Sequence, residues 1–198
     1  MLHRNASIGG TLAILAATVT LASCSSESID APDTAVISAD YPAYDSAARL
    51  VEAADIVAEV TIGEHEEALL YPDYGSDDPQ INPYAGTDET PEPGEGVVPI
   101  TVYEAIVGEV FAGPVESGET IHIQQLGGTL DGVTYSEDGI SPLIVGQTIL
   151  VFLAEYDDAP AAIVGGDAGA FDIIGTTYVS HTDPELTVTQ TELRALFQ

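Results

Sequence analysis

Polar and apolar positions follow a regular pattern along most of the chain, and the period of that pattern assigns the elements. Ala47, Leu50, Val51 and Ala54 fall at i, i+3, i+4 and i+7, which predicts a short helix with one apolar stripe. Asp45 or Ser46 can cap its start. From Asp55 to Gly63 the period becomes two. Ile56, Ala58, Val60 and Ile62 share one face, and Asp55, Glu59 and Thr61 the other, as in a half-buried strand. Val97 to Phe111 alternates again, with Tyr103, Ala105 and Val107 opposite Val102, Glu104 and Ile106, and Gly108 marks a bulge. Thr120 to Leu126 sets Ile121 and Ile123 against His122 and Gln124. Asp131-Gly132 then signals a hairpin that returns through Val133, Thr134 and Tyr135.

Thr148 to Ala154 is almost wholly apolar, which predicts a strand covered on both faces at the centre of the core. Ala161 to Val164 and Ala170 to Tyr178, parted by Gly165-Gly166, predict a last hairpin. Thr189 with Glu192 forms a capping box for a closing helix. Val188 can staple to Leu193, and Leu196 and Phe197 complete the apolar face. The pattern gives one mostly β domain over residues 41–198, a barrel or sandwich with two short flanking helices.

Two stretches break the alternation. Residues 24–40 are small, polar and acidic and read as a flexible tether. Residues 64–96 are acidic and rich in proline and glycine. Proline removes a ladder donor, so they are expected to form a long loop rather than a central strand. This loop is either a recognition or divalent-cation site or a solvated insertion. Asp73, Asp77 and Asp78 make only a loose cluster that does not follow the alternating spacing of a calcium loop.

The amino-terminal end differs from everything after it. Residues 1–23 hold no acid, Arg4 gives a positive front, and Ile8 to Ala22 is apolar. That run is short of the ~20 residues a membrane span needs and fits a signal-peptide core. The alternative is an uncleaved anchor helix followed by a buried cysteine. Leu21-Ala22-Ser23-Cys24 closes the run and holds the one cysteine of the chain. The stretch resembles the lipobox of bacterial lipoproteins. The resemblance implies that Leu21, Ala22 and Ser23 are recognised by the lipoprotein signal peptidase. It also implies that Cys24 takes a diacylglycerol and becomes the new amino terminus, so that the domain is lipid-anchored on the extracytoplasmic face of the cell membrane. Without an Arg-Arg pair, general secretion is the expected route.

Charge narrows the partners. The chain has 33 acidic residues against 3 basic ones and a net charge of −30. Removing residues 1–23 takes Arg4 away and leaves Arg49 and Arg194, a charge of −31. Nucleic acid is excluded as a partner, because its affinity comes from Lys and Arg neutralising phosphates. With Cys24 acylated, no thiol remains for a disulfide, and packing alone must hold the fold.

No catalytic constellation is legible. His65, His122 and His181 sit in different elements without metal-ligand spacing. Ser180, His181 and Asp183 are hydrolase residue types, but there is no nucleophile elbow, P-loop, dinucleotide fingerprint or H-E-x-x-H. No catalytic residue, metal ligand or cofactor is assigned. The expected role is binding or interaction at the cell envelope, with an envelope protein as partner. The alternatives are a calcium-dependent surface module and a carboxylate-based hydrolase, since any two of 33 acids could meet.

The element order also carries a resemblance over about residues 45–178. Ala54-Asp55-Ile56-Val57 opens the first strand, Val110-Phe111-Ala112-Gly113 closes the second, and Gly146 precedes the TILVFL run. This order resembles small secreted and lipid-anchored bacterial domains of unknown activity. More distantly it is similar to the netrin-like module of tissue inhibitors of metalloproteinases. The resemblance implies an OB-like barrel. Those inhibitors rely on disulfides and on a free amino-terminal cysteine that binds zinc. The mature domain here has no disulfide and its Cys24 would be acylated, so that chemistry is not expected.

Overall fold

The computed structural model describes residues 33–198 apart from 73, 76, 78–81, 83 and 93. Residues 1–32, on which the expected signal peptide, Leu21, Ala22, Ser23, Cys24 and most of the expected tether fall, lie outside the described residues, as do Asp73 and Asp78.

The two longest strands are β2 (Ile56–Leu70) and β3 (Val98–Ala112), which pair antiparallel. β4 (Thr120–Leu130) pairs with β3, β6 (Thr148–Tyr156) pairs with β2, and β7 (Ala159–Ile163) pairs with both β6 and β4. These pairings close a ring in the order β2-β3-β4-β7-β6, an OB-like barrel. Its β4–β7 seam is parallel and narrow, with the register Ile123 to Ala161 and Gln124 to Ala162. The other pairings of the ring are antiparallel.

Two additions extend the ring. β1 (Asp33–Ile37) runs parallel to β5 (Val133–Glu137), which pairs with the far end of β4. β8 (Ala170–Ile174), β9 (Thr177–Ser180) and β10 (Thr187–Thr189) continue outward from β6. Helix α1 (Ala47–Ala53) and helix α2 (Gln190–Ala195) pack on that outer layer.

β6 explains why the sequence is apolar at every position there. Ile149, Val151 and Leu153 point into the barrel, with Ile56, Ala58, Val60, Ile62, Tyr103, Ala105 and Ile123. Leu150 and Phe152 point the other way, into a second core with Leu50, Phe171, Tyr178, Val188 and Leu193. One edge of β6 pairs with β2. The opposite edge pairs with β8 at residues 149–151 and with β7 from Leu153 onward. The sheet therefore forks at Phe152.

Four expectations are corrected. Residues 33–37, assigned to the tether, are strand β1, and the compact unit begins at Pro32. The loop expected at 64–96 starts later. β2 continues through the EHEE run to Leu70, because backbone pairing with β3 holds it while Glu64, Glu66 and Glu67 stay exposed. A register shift between Ile62 and His65 absorbs Gly63-Glu64 at that point. β4 runs on through Gly127-Gly128 as it leaves β3 for β5. Finally, β7 and β8 do not pair with each other; Gly165-Gly166 instead leads into a 3-10 turn that shifts the chain along the edge of β6.

Other readings hold at residue level. α1 buries Ala47 and Leu50, and Gly108 lies where β3 gains a residue against β2. At α2, Thr189 Oγ1 accepts from the Glu192 amide at 3.2 Å, and Glu192 Oε2 accepts from the Thr189 amide at 2.9 Å. The Thr189 hydroxyl, which donates to Glu192 Oε2 at 2.7 Å, and then the Thr189 amide hold the Glu192 carboxyl below its usual range. Arg194 and Gln190 both bind Glu109 of β3, which fixes α2 across the sheet.

The described part of the 71–97 loop carries its own order. The rings of Tyr74 and Tyr84 meet edge to face at 5.7 Å, and Asn82 Nδ2 donates to the Tyr74 carbonyl at 2.8 Å. Tyr74 OH donates to the Glu95 carbonyl at 2.6 Å, and Tyr84 OH donates to the Glu95 carboxylate.

Candidate functional site

A cavity of ≈ 490 Å³ lies beside the β4–β7 seam. Its walls are mostly apolar: Leu126 of β4, Ile140 beyond β5, and Ile163 and Val164 at the end of β7. The aromatic rings of Tyr41, Tyr44 and Tyr156 line it, with Gln124, Gln125 and Glu137 as the other polar groups. Its size and composition match a small-molecule pocket of about 300–1,000 Å³ with a few convergent polar groups.

The backbone brings these residues together from distant positions. Tyr41 and Tyr44 are held on the segment between β1 and α1, and both lie against the Gly165-Gly166 corner. Gly165 and Gly166 have φ of +67° and +63°. A Cβ on Gly165 would stand 2.8 Å from the Tyr44 ring. One on Gly166 would stand 3.0 Å from the Tyr41 ring and 2.7 Å from Ile140. Only glycine satisfies both the left-handed backbone and the close approach of the rings.

Among the described residues, Glu137 is the one carboxylate that lines the cavity. Glu137, 8% exposed, accepts from Tyr41 OH at 2.6 Å. Burial first, and then the bond to Glu137, push the Tyr41 phenol well above its usual range, so it stays a neutral donor. Asp167, 5% exposed, accepts from the Ser141 amide at 3.0 Å, and its charge also acts on Tyr41. The Gln125 amide is committed at both ends, donating to the Ser141 carbonyl at 3.2 Å and accepting from the Leu143 amide at 3.0 Å. Gln124 differs: its Oε1 is buried and has no hydrogen-bond partner among the described residues. Such an orphaned acceptor costs free energy on the order of 1–3 kcal/mol unless something donates to it.

The residues singled out in the sequence do not converge on this cavity. His65 stacks at 5.2 Å on Tyr103 and lines a smaller acidic recess of ≈ 160 Å³ with Glu64, Glu66, Glu104 and His122. Ser180 Oγ contacts Thr182 and accepts from the amides of Thr182 and Asp183. His181 instead binds Asp172 at 3.2 Å, so Ser180, His181 and Asp183 do not form a nucleophile–base pair. Asp77 is exposed. Among the described residues no group of three or more His, Cys, Asp or Glu is disposed to hold a metal ion, and no helix is long and apolar enough to cross a membrane.

Sequence reasoning missed Tyr41, Glu137 and Gln124 as site residues. Tyr41 and Glu137 lie outside the periodic stretches of the sequence, and Gln124 alternates with Ile123 on the polar side of a strand. The signal that was present is Gly165-Gly166, which was read only as a turn.

A second buried phenol sits in the outer core. Tyr178 is 1% exposed and donates to Glu59 Oε1 at 2.7 Å. Burial first, and then the Glu59 carboxylate, hold the phenol above its usual range. An unfolded tyrosine loses its proton near pH 10, whereas folded Tyr178 keeps it. Stability is therefore full below about pH 10 and falls as pH rises beyond it. The slope from this residue is at most about 1.4 kcal/mol per pH unit, reduced by solvent screening. Urea midpoints between pH 8 and 12 should fall more steeply for the native chain than for Tyr178→Phe. Equal slopes would remove Tyr178 as the cause.

Comparison with known proteins returns no matching family model, no matching curated protein and no matching solved structure.

Proposed function

We propose that the chain is a lipid-anchored, extracytoplasmic binding protein whose ligand is a small molecule held in the Tyr41–Glu137 cavity. The observation that carries this reading is the cavity itself, ≈ 490 Å³ with apolar and aromatic walls and the carboxylate of Glu137 among them. The lipid anchor comes from the Leu21–Cys24 stretch, which would hold the domain at the membrane while its acidic surface keeps it off anionic headgroups. The cavity shifts the earlier emphasis: the ligand surface is the barrel seam rather than the acidic loop.

The test is a thermal-shift panel on the full-length chain in non-ionic detergent, using small apolar compounds of neutral, anionic and cationic charge. A ligand at 100 times its Kd stabilises the native state by about 2.7 kcal/mol. For a domain of this size that is a rise of roughly 5–10 °C in Tm. Ala162→Phe, which fills the cavity beside Gln124, should abolish the shift. No shift from any class, or an equal shift in the filled variant, would refute the cavity as a ligand site.

A further inference from the structure

We infer that the cavity takes an uncharged, mostly hydrocarbon molecule whose polar end faces out past Tyr41 and Tyr156, and that the bonded pair Glu137–Tyr41 enforces its neutrality. The inference rests on the reading of the cavity as a ligand site and specifies its chemistry.

The first argument is what the walls leave open to a ligand. The described hydrogen bonds commit Glu137 to the Tyr41 hydroxyl at 2.6 Å, and both ends of the Gln125 amide to the backbone of Ser141 and Leu143. Gln124 Oε1 has less than 1 Å² of exposed surface and is out of a ligand's reach. Around these groups stands hydrocarbon from Leu70, Ile100, Leu126, Ile140, Ile163 and Val164. Such walls hold a molecule through the apolar area it removes from water. Tyr41 and Tyr156 line the same cavity and are both exposed, so they mark its mouth. Rings with an apolar body and a polar tip suit a boundary that is dry on one side and wet on the other. A polar end left at that mouth keeps its water.

Charge is the second argument. Among the described residues no Lys, Arg or His lines the cavity. An anion would lose its hydration, find no countercharge and face Glu137, in a chain of net charge −30. A cation gains little more. Glu137 is nearly buried and already accepts from Tyr41, so it shows little carboxylate surface to offset the lost hydration of an ammonium group. A neutral molecule carries neither penalty.

The experiment is isothermal titration calorimetry at pH 7 and fixed ionic strength. The full-length chain is held in phosphatidylcholine nanodiscs, and empty nanodiscs give the blank for partitioning. The probes are 1-butanol, 1-hexanol, hexanoate and hexylammonium. The expected result is one-to-one binding of 1-hexanol, at least tenfold tighter than 1-butanol, since each buried CH₂ tightens binding about fourfold. Hexanoate should not bind, and hexylammonium should bind at least tenfold more weakly than 1-hexanol. Glu137→Gln keeps the shape and removes the charge, and should bring hexanoate to within tenfold of 1-hexanol. Tyr41→Phe uncovers the Glu137 carboxylate, and should improve hexylammonium relative to 1-hexanol at least fivefold. If Glu137→Gln fails to fold, Tyr41→Phe alone decides the role of the pair. If either ion binds the native chain as tightly as 1-hexanol, if chain length has no effect, or if neither variant shifts the charge preference, the assignment is overturned while the ligand site stands. Silence from all four probes overturns both.

Discussion

Phe152→Ala is expected to destabilise the domain by about 4 kcal/mol. The residue is fully buried at the fork of β6, and its ring lies 5.5 Å from that of Phe171 at 51°. Truncation removes the transfer free energy of a large apolar group, leaves a cavity, and ends a ring contact worth about 0.5–1.5 kcal/mol. Little can move in to fill the space. Phe152 is backbone-paired with Val57 on one side, and its carbonyl accepts from the Val164 amide at 2.9 Å on the other. The expected fall in Tm is roughly 8–16 °C. Urea unfolding should show a lower midpoint at unchanged slope. Ile106→Ala serves as the control, since Ile106 is 52% exposed and should change stability by less than about 0.5 kcal/mol. A loss below 1.5 kcal/mol for Phe152→Ala would mean that the outer core collapses freely and is not a packed layer.

The second large effect falls on Cys24. Cys24→Ala removes the one thiol of the chain and with it the proposed acceptor of the lipid. Labelled fatty acid should be incorporated into the native chain and be absent from the variant, and the variant should keep residues 1–23. The energetic reason is simple. Two acyl chains, at about 0.8 kcal/mol for each buried CH₂, hold a protein at a membrane where one holds it only marginally. The informative readouts are the label and the processed mass, because an uncleaved apolar leader could itself keep the variant in the membrane fraction. A normally processed, labelled variant would refute the assignment.

Local pattern carried much of the barrel, and the particular residues show why. Ile56, Ala58, Val60 and Ile62 alternate because one face of β2 closes on the barrel core, and that information is local. The same holds for Tyr103, Ala105 and Val107, and for Thr189 with Glu192, where three residues define the cap. The EHEE run was misread because four polar residues weaken β propensity, while its strand is imposed by β3 from more than thirty residues away. β1 was misread for the same reason, since its partner β5 follows a hundred residues later. The cavity was not legible at all. It depends on Tyr41, Gln124, Glu137 and Gly165 meeting across four elements, and no spacing in the chain encodes that meeting. The hydrolase residue types show the converse. Ser180, His181 and Asp183 are neighbours in sequence, yet the strand directs Ser180 and His181 to different partners.

The fork at Phe152 also sets the order of events as the chain folds. β7 and β8 both pair with β6, and Val57 must find Phe152 across nearly half of the chain. Such non-local contacts place folding in the slow, millisecond-to-second range typical of β domains. The ring cannot close until synthesis has passed β7, so β2, β3 and β4 leave the ribosome with the β6 edge of β2 still unpaired. Once β6 is in place, the barrel and the outer layer share its backbone, and neither can open alone. The amide hydrogens of Ile149 to Leu153 should therefore be among the last to exchange with solvent, released only when the whole domain unfolds.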